Sequence, residues 1–300
     1  MISMTVINDH NEVLELVLSQ PEKTGLLVSS IDGIGEPDAT PNMSVMGLTD
    51  FSRINSVRLE PREIEIELEY YGDDIEASRL TAYRAFHTKS MVTLIFKTDY
   101  REVMCTGLVL HNEPIVFSKE CGCKITVKCP DPYLYSLDTI TTVFDGIEPL
   151  FTFPFCDAEE DQIQFGEIRI IKERSVFYTG EADTGVTISL HCLGQVRNLV
   201  IYNVDTGQRM GIRDDILTTL LGSSLMEGDD IIITTNKTKK SAYLIRNGVT
   251  YNIINAISRR HGVNDWFELT AGDNLFTYTA DVGDLDVMMN IKHRILYKGV

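Results

Sequence analysis

The sequence predicts a mostly β chain of two domains, and three observations carry that reading. Residues 63–70 alternate strictly, with Ile64, Ile66, Leu68 and Tyr70 on one face and Glu63, Glu65, Glu67 and Glu69 on the other, the period of a half-buried strand. A second alternating stretch, Lys124 to Cys129, runs into Pro130-Asp131-Pro132-Tyr133. The two prolines remove two backbone donors and hold the residue before each one extended, so the ladder stops there. Beyond that point turn signals recur at Gly166, Gly180, Asp205-Thr206-Gly207, Glu227-Gly228-Asp229, Asn247-Gly248 and Ala271-Gly272-Asp273-Asn274, the spacing of an antiparallel sandwich. At about 100–200 residues per domain, 300 residues suit two cores.

In chain order, residues 13–18 and 25–30 read as early strands. Asp32 to Asp50 holds Gly33, Gly35, Pro37, Pro41 and Gly47 among Asp and Asn residues, the composition of a long loop with little regular structure. After the strand at 63–70, Asp73 or Asp74 caps a helix beginning near Ile75, with Glu76 in its first turn. Ile75, Ala82, Tyr83 and Phe86 form its apolar stripe, with Leu80 at the margin, so the helix packs on a sheet. Met91–Phe96 and Val103–Leu110 pair around Asp99-Tyr100-Arg101. Ser136 to Asp145 reads as a connector, which divides the chain into residues 1–140 and 141–300, the last strand being free to return toward the first domain. In the second half Asn247-Gly248 makes a hairpin of Ser241–Arg246 and Val249–Ile254. Only Asp214–Leu221 and Asn255–Arg260 have the texture of a helical turn or two.

Chemistry is harder to find. A net charge of −17 argues against phosphate contacts to nucleic acid, which draw on clustered Lys and Arg. No apolar run approaches the roughly 20 residues of a membrane helix, and Met1 to Glu12 lack a secretory pattern. The chain has no Gly-x-Ser-x-Gly elbow, and its six histidines (His10, His87, His111, His191, His261, His293) are scattered. Cys121-Gly122-Cys123 with Cys129 lacks a fourth ligand nearby, and the cysteines read as small apolar residues. Asp229-Asp230 and Asp273-Asn274 read as turns, not calcium loops, and Gly33-x-Gly35 is followed by Pro37 instead of a helix start. These residues predict no catalytic group, cofactor or metal.

The order of elements from Arg58-x-x-Pro61-Arg62 through the strand at 64–70, the helix at 73–87 and the hairpin at 91–110 to Cys129-Pro130-Asp131-Pro132-Tyr133 resembles the distal tail proteins (Dit) of long-tailed, non-contractile phages, the siphophages. The second half is similar to that family's galectin-like sandwich, in Gly185–Ile188, Asn198–Ile201 with Asn203, Thr206 and Gly207, Gly228-Asp229 before Ile231–Thr235, Trp266, Leu269, Gly272–Asn274 and Tyr297–Val300. The resemblance implies an N-terminal β-sandwich-like domain with one helix packed on a sheet, followed by a galectin-like β-sandwich. It implies a structural, non-enzymatic virion protein of the tail tip, assembled in the host cytoplasm. There a homohexameric ring would join the tail tube to the tail-associated fibre or lysin protein.

The implied partners are further copies of the chain, the tail-tube protein, the tape-measure protein and the fibre or lysin, with DNA passing through the ring unbound. The resemblance implies that the Asp32–Asp50 loop is an inter-subunit arm, and ring contacts are expected from Asp32, Gly33, Gly35, Pro37, Arg58 and Arg62. Pro130, Asp131, Pro132 and Tyr133 are expected to form the connector out of the first domain. The glutamate row of residues 63–69 is either a solvated face or a functional one that lines the channel or meets a basic partner surface. The alternative function is a carbohydrate-binding module for host recognition in the second sandwich, with Trp266 as its sugar-stacking residue, against the ordinary reading of Trp266 as core.

Overall fold

The computed structural model describes residues 2–45, 47, 50–115, 121–149, 166–258 and 266–300. Strand makes up 54% and helix 10%, so the chain is mostly β. It divides into two compact units: unit 1 is Met1–Leu137 with Leu296–Val300, and unit 2 is Asp138–Ile295.

Unit 1 contains β1 (Ser3–Ile7), β2 (Val13–Val17), β3 (Leu26–Asp32), β4 (Ala39–Val45), β5 (Ser52–Leu59), β6 (Arg62–Tyr70), α1 (Ile75–Ala85), β7 (Met91–Lys97), β8 (Glu102–Ile115), β9 (Gly122–Cys129) and β10 (Leu134–Ser136). Its main sheet is antiparallel in the order β2-β1-β7-β8-β9-β6-β3, with β10 joined to β8. The alternation read from residues 63–70 is realised: Ile64, Ile66, Leu68 and Tyr70 enter the core with Leu94, Phe96, Ile125 and Val127. Each such side chain contributes about 1.5–3 kcal/mol by leaving water. On the other face the glutamates meet lysines of β9, Lys128 to Glu63 at 2.6 Å and Lys124 to Glu65 at 2.7 Å. These exposed pairs add little stability, but they relieve repulsion along the row.

Asp74 caps α1 by accepting from the Ala77 amide at 2.9 Å. The buried face is Ser78, Ala82 and Ala85, followed by Phe86, whereas Ile75 and Leu80 lie outside the core. The expected stripe is therefore corrected: small residues bring this helix close to the sheet, and its larger apolar residues flank the contact. Two further expectations change, and one strand had not been expected. β1 carried no separate signal. The loop expected over 32–50 contains β4, which pairs with β5 in a two-stranded ribbon of its own. The connector expected over 136–145 contains a strand at 140–143.

Unit 2 contains β11 (Ile140–Val143), β12 (Asp145–Pro149), β13 (Gly166–Ile170), β14 (Glu173–Tyr178), β15 (Thr184–Gly185), β16 (Thr187–Cys192), β17 (Val200–Asn203), β18 (Gln208–Ile212), α2 (Asp214–Leu221), β19 (Asp230–Thr234), β20 (Ser241–Arg246), β21 (Val249–Asn252), β22 (Ile257–Ser258), β23 (Glu268–Leu269), β24 (Gly272–Thr279) and β25 (Val287–His293). One sheet runs β11-β25-β16-β19-β20-β21 and the other β14-β24-β17-β18-β22. They share one core, with Ile188, Leu190, Ile231 and Ile291 from the first and Val176, Ile201, Met210 and Phe276 from the second. Asn247 and Gly248 both take positive φ, as a two-residue hairpin turn needs. The helical turn expected at 255–260 is a short 3-10 turn followed by β22, because Ile257 pairs with Ile212. Residues 259 and 260 lie outside the described residues. The chain then returns to unit 1 as β26 (Leu296–Tyr297), pairing with β10.

His293, at the end of β25, is buried, with Tyr178 edge-on at 5.6 Å and, among the described residues, no hydrogen-bond partner at either ring nitrogen. Burial lowers its pKa from the ordinary 6.5. The unfolded chain therefore takes up a proton at a pH where the folded chain does not. Stability from this site is complete above about pH 6.5 and falls by up to about 1.4 kcal/mol per pH unit as the pH drops toward the folded value. Urea titrations at pH 7.5 and 5.5 are expected to show unit 2 weakened at the lower pH, and His293→Phe is expected to remove that part of the loss.

Candidate functional site: an arginine lock beneath an exposed arm

β6 places Arg62 on the same face as Ile64 and Ile66, and the side chain is 3% exposed. All five guanidinium N–H groups are used, and every acceptor is a backbone carbonyl. Nε and Nη2 donate to the Pro132 oxygen at 3.1 and 2.9 Å, and Nη2 also reaches Lys298 at 2.6 Å. Nη1 donates to Gly33 at 2.7 Å and Gly35 at 2.6 Å. Burial lowers the pKa of Arg62, yet an arginine remains a cation in any protein setting. One buried cation thus ties together three separate segments: residues 33–35, the proline connector and residues 298–300.

Each segment is shaped for its place. Gly33 has φ +81°, and a Cβ there would overlap the Glu63 carbonyl, so only glycine fits. Asp131 fixes the connector, accepting from the Tyr133 amide at 3.1 Å with one carboxylate oxygen and from the Tyr135 hydroxyl with the other. The residues after β26 follow the loop, with the Val300 amide donating to Ile34 at 3.2 Å. Arg101 lies 4.8 Å over the Tyr297 ring.

From this lock the β4–β5 ribbon extends as an arm. The pairing sets Ala39, Pro41, Met43 and Val45 opposite Leu59, Val57, Ile54 and Ser52 on one face. On the other face, Thr40, Asn42 and Ser44 lie opposite Arg58, Ser56 and Arg53. A bulge after Asn42 takes up the extra residue, Asn55, and keeps the apolar positions in step. Met43, Val45, Ile54 and Val57 are each more than half exposed. A lone two-stranded ribbon is marginal in water, and this one has an apolar face that nothing among the described residues covers. Its charged side chains, Arg53 and Arg58, are both cationic in a chain of net charge −17.

Six residues were expected to form ring contacts. Arg58 lies on the arm, and Asp32 ends β3 opposite Glu65, both exposed. Gly33 and Gly35 accept from Arg62, with Pro37 following them toward the arm. Arg62 itself is enclosed, so it supports the arm from below and offers no surface to a partner. The connector residues Pro130 to Tyr133 are brought to the same lock. The arm's apolar face, Met43, Ile54 and Val57, was missed because the stretch was read as loop; its signal is apolar alternation over 39–45 and 52–59. Trp266 is 3% exposed, with Lys240 at 5.5 Å from its ring. Its face is enclosed by the core, so it is not a sugar platform. Among the described residues no group of three or more His, Cys, Asp or Glu side chains is arranged to hold a metal.

The site and topology define a class: a two-unit β scaffold whose returning strand and buried arginine fix an exposed ribbon. The solved structures it resembles belong to phage tails. The chain matches the crystal structure of SPP1 Dit (gp 19.1), described as a paradigm of the hub adsorption apparatus in Gram-positive-infecting phages, at 14% identity and a TM-score of 0.62, over 97% of this chain and 99% of that one. The phage P2 baseplate in its activated conformation with Ca matches at 10% identity and a TM-score of 0.47 over 98% of both chains. The same baseplate with Sr matches at 12% and 0.45 over 97% of both. No family model and no curated protein sequence matches the chain. The chain therefore has the fold of a phage Dit hub protein across nearly its whole length, a likeness of fold carried by the SPP1 structure.

Proposed function

We propose that this chain is a structural protein of a phage tail tip. It forms a homohexameric ring that joins the tail tube to the tail-associated fibre or lysin protein. The observation that supports this most is the arm, an amphipathic ribbon anchored by a buried cation with its apolar face bare. A neighbouring copy is the natural cover, since closed cyclic symmetry gives every arm a partner. The cationic side of the ribbon also suits the surface of a strongly acidic copy. The Dit fold of SPP1 supports the same reading. Binding is then the whole of its work: it requires no catalytic group, and its acidity favours DNA passing through the ring without being held. The tape-measure protein is a further partner in this reading.

Mass measurement over a concentration series tests it. Six copies of the 33.8 kDa chain give about 200 kDa. Met43→Asp with Ile54→Asp is expected to leave the stability of the single chain within about 0.5 kcal/mol, because both positions are exposed, and to leave only the monomer. A variant that still assembles like the parent would overturn the role of the arm. A parent chain that stays monomeric, even with purified tube and fibre proteins added, would overturn the ring.

A further inference from the structure

We propose that unit 2 binds a neutral saccharide in a cleft on the outer face of its β14–β22 sheet. The alternation of β17 and β18 sends Ile201, Asn203 and Met210 inward, leaving Tyr202 and Arg209 on the outer face, with Gly211 also lining the cleft. Asn198 and Asp281 form one wall, Arg213 and Asp215 another, around a volume of about 780 Å³, within the range of small-ligand sites.

The polar groups are matched in charge. Two arginines and two aspartates sum to zero in a chain of net charge −17, so the cleft selects neither a polyanion nor a cation. What it offers is donors and acceptors side by side, the requirement of a ligand whose hydroxyls both donate and accept. Several are already held in place. Arg213 forks onto Asp215, with Nε to Oδ1 at 3.1 Å. Asn198 donates to Asp281 at 2.8 Å and accepts from the Asp214 amide at 3.4 Å, from a backbone at φ +50° that asparagine tolerates. Arg209 has no hydrogen-bond or ion-pair partner among the described residues, leaving its planar fork for a vicinal hydroxyl pair. The half-buried Tyr202 ring supplies an apolar surface beside these groups for the C–H face of a sugar. Trp266 takes no part, being in the core.

The test is saturation-transfer NMR on the full chain with maltose, cellobiose, lactose and N,N′-diacetylchitobiose, with a glycerol-phosphate oligomer as the charged comparison. At least one neutral saccharide is expected to bind with a Kd on the order of 1 mM. Arg209→Ala and Asp215→Ala, both exposed and away from the core, are expected to weaken it about tenfold, whereas Trp266→Phe leaves it unchanged. Absence of binding by every neutral saccharide overturns the proposal. So does preference for the glycerol-phosphate oligomer, or binding that survives both cleft substitutions.

Discussion

Replacing Arg62 with methionine is expected to lower the stability of unit 1 by about 2–4 kcal/mol and to leave unit 2 at its native midpoint. Methionine fills much of the same volume but donates nothing, so the carbonyls of Gly33, Gly35, Pro132 and Lys298 lose a charged donor together. A hydrogen bond from a charged donor contributes about 1.5–3 kcal/mol net. The sum is reduced because burying the guanidinium was itself costly, and because Gly33 and Gly35 are exposed enough to take water instead. Arg62→Lys is expected to recover part of the loss, since an ammonium cannot span four carbonyls in one plane. Hydrogen exchange gives the sharper readout. Peptides covering residues 33–35, 130–134 and 297–300 are expected to lose protection together in the methionine variant. Loss at only one of the three would mean that the arginine does not couple them.

Arg246→Met should be the most damaging single change in unit 2, at about 3–5 kcal/mol. Arg246 ends β20 and reaches Asp229, which is 1% exposed, through Nε at 2.8 Å and Nη2 at 2.6 Å. Its other contacts are the Ser223 hydroxyl at 2.7 Å and the Ser224 carbonyl at 2.9 Å. The hydrogen bond to Asp229 raises the pKa of Arg246. Methionine would leave the aspartate buried with the Met226 amide at 2.9 Å and no counter-charge. Adding Asp229→Leu to Arg246→Met is expected to recover much of the stability, because the buried charge then leaves with its partner. Denaturation midpoints of the two single variants and the double variant decide this. A double variant as weak as the sum of the singles would show that the pair acts through packing alone.

Much of the architecture was legible because it rests on local periodicity. The alternation of residues 63–70, the stop at Pro130 and Pro132, the Asp74 cap and the Asn247-Gly248 turn are local signals, and each was realised. What escaped the sequence depends on partners far along the chain. β4 was hidden by its proline and asparagine, because a ribbon is defined by the strand opposite it and β5 shows the same mixed composition. Arg62 was visible as a residue but misjudged in role. It stands two residues before Ile64 on an alternating strand, which already places it inward, yet its acceptors lie as far away as Lys298. Asp229 looked like turn chemistry for the same reason, since its partner Arg246 belongs to another strand. The unit 2 cleft draws its walls from Asn198, Asp215 and Asp281, which no spacing rule connects.

The return of β26 also sets a schedule. During synthesis the ribosome finishes residues 1–137 and then makes about 160 more, on the order of ten seconds or longer at typical translation rates, before Lys298 emerges. Through that interval Arg62 has its acceptors at 33–35 and 132 but not the last one, and β10 lacks its second neighbour. The base of the arm is therefore completed only after unit 2 has been translated, so a chain cut short of Lys298 has an unfinished joint there. Connectivity alone makes the step that fixes the arm wait for the residues that follow unit 2.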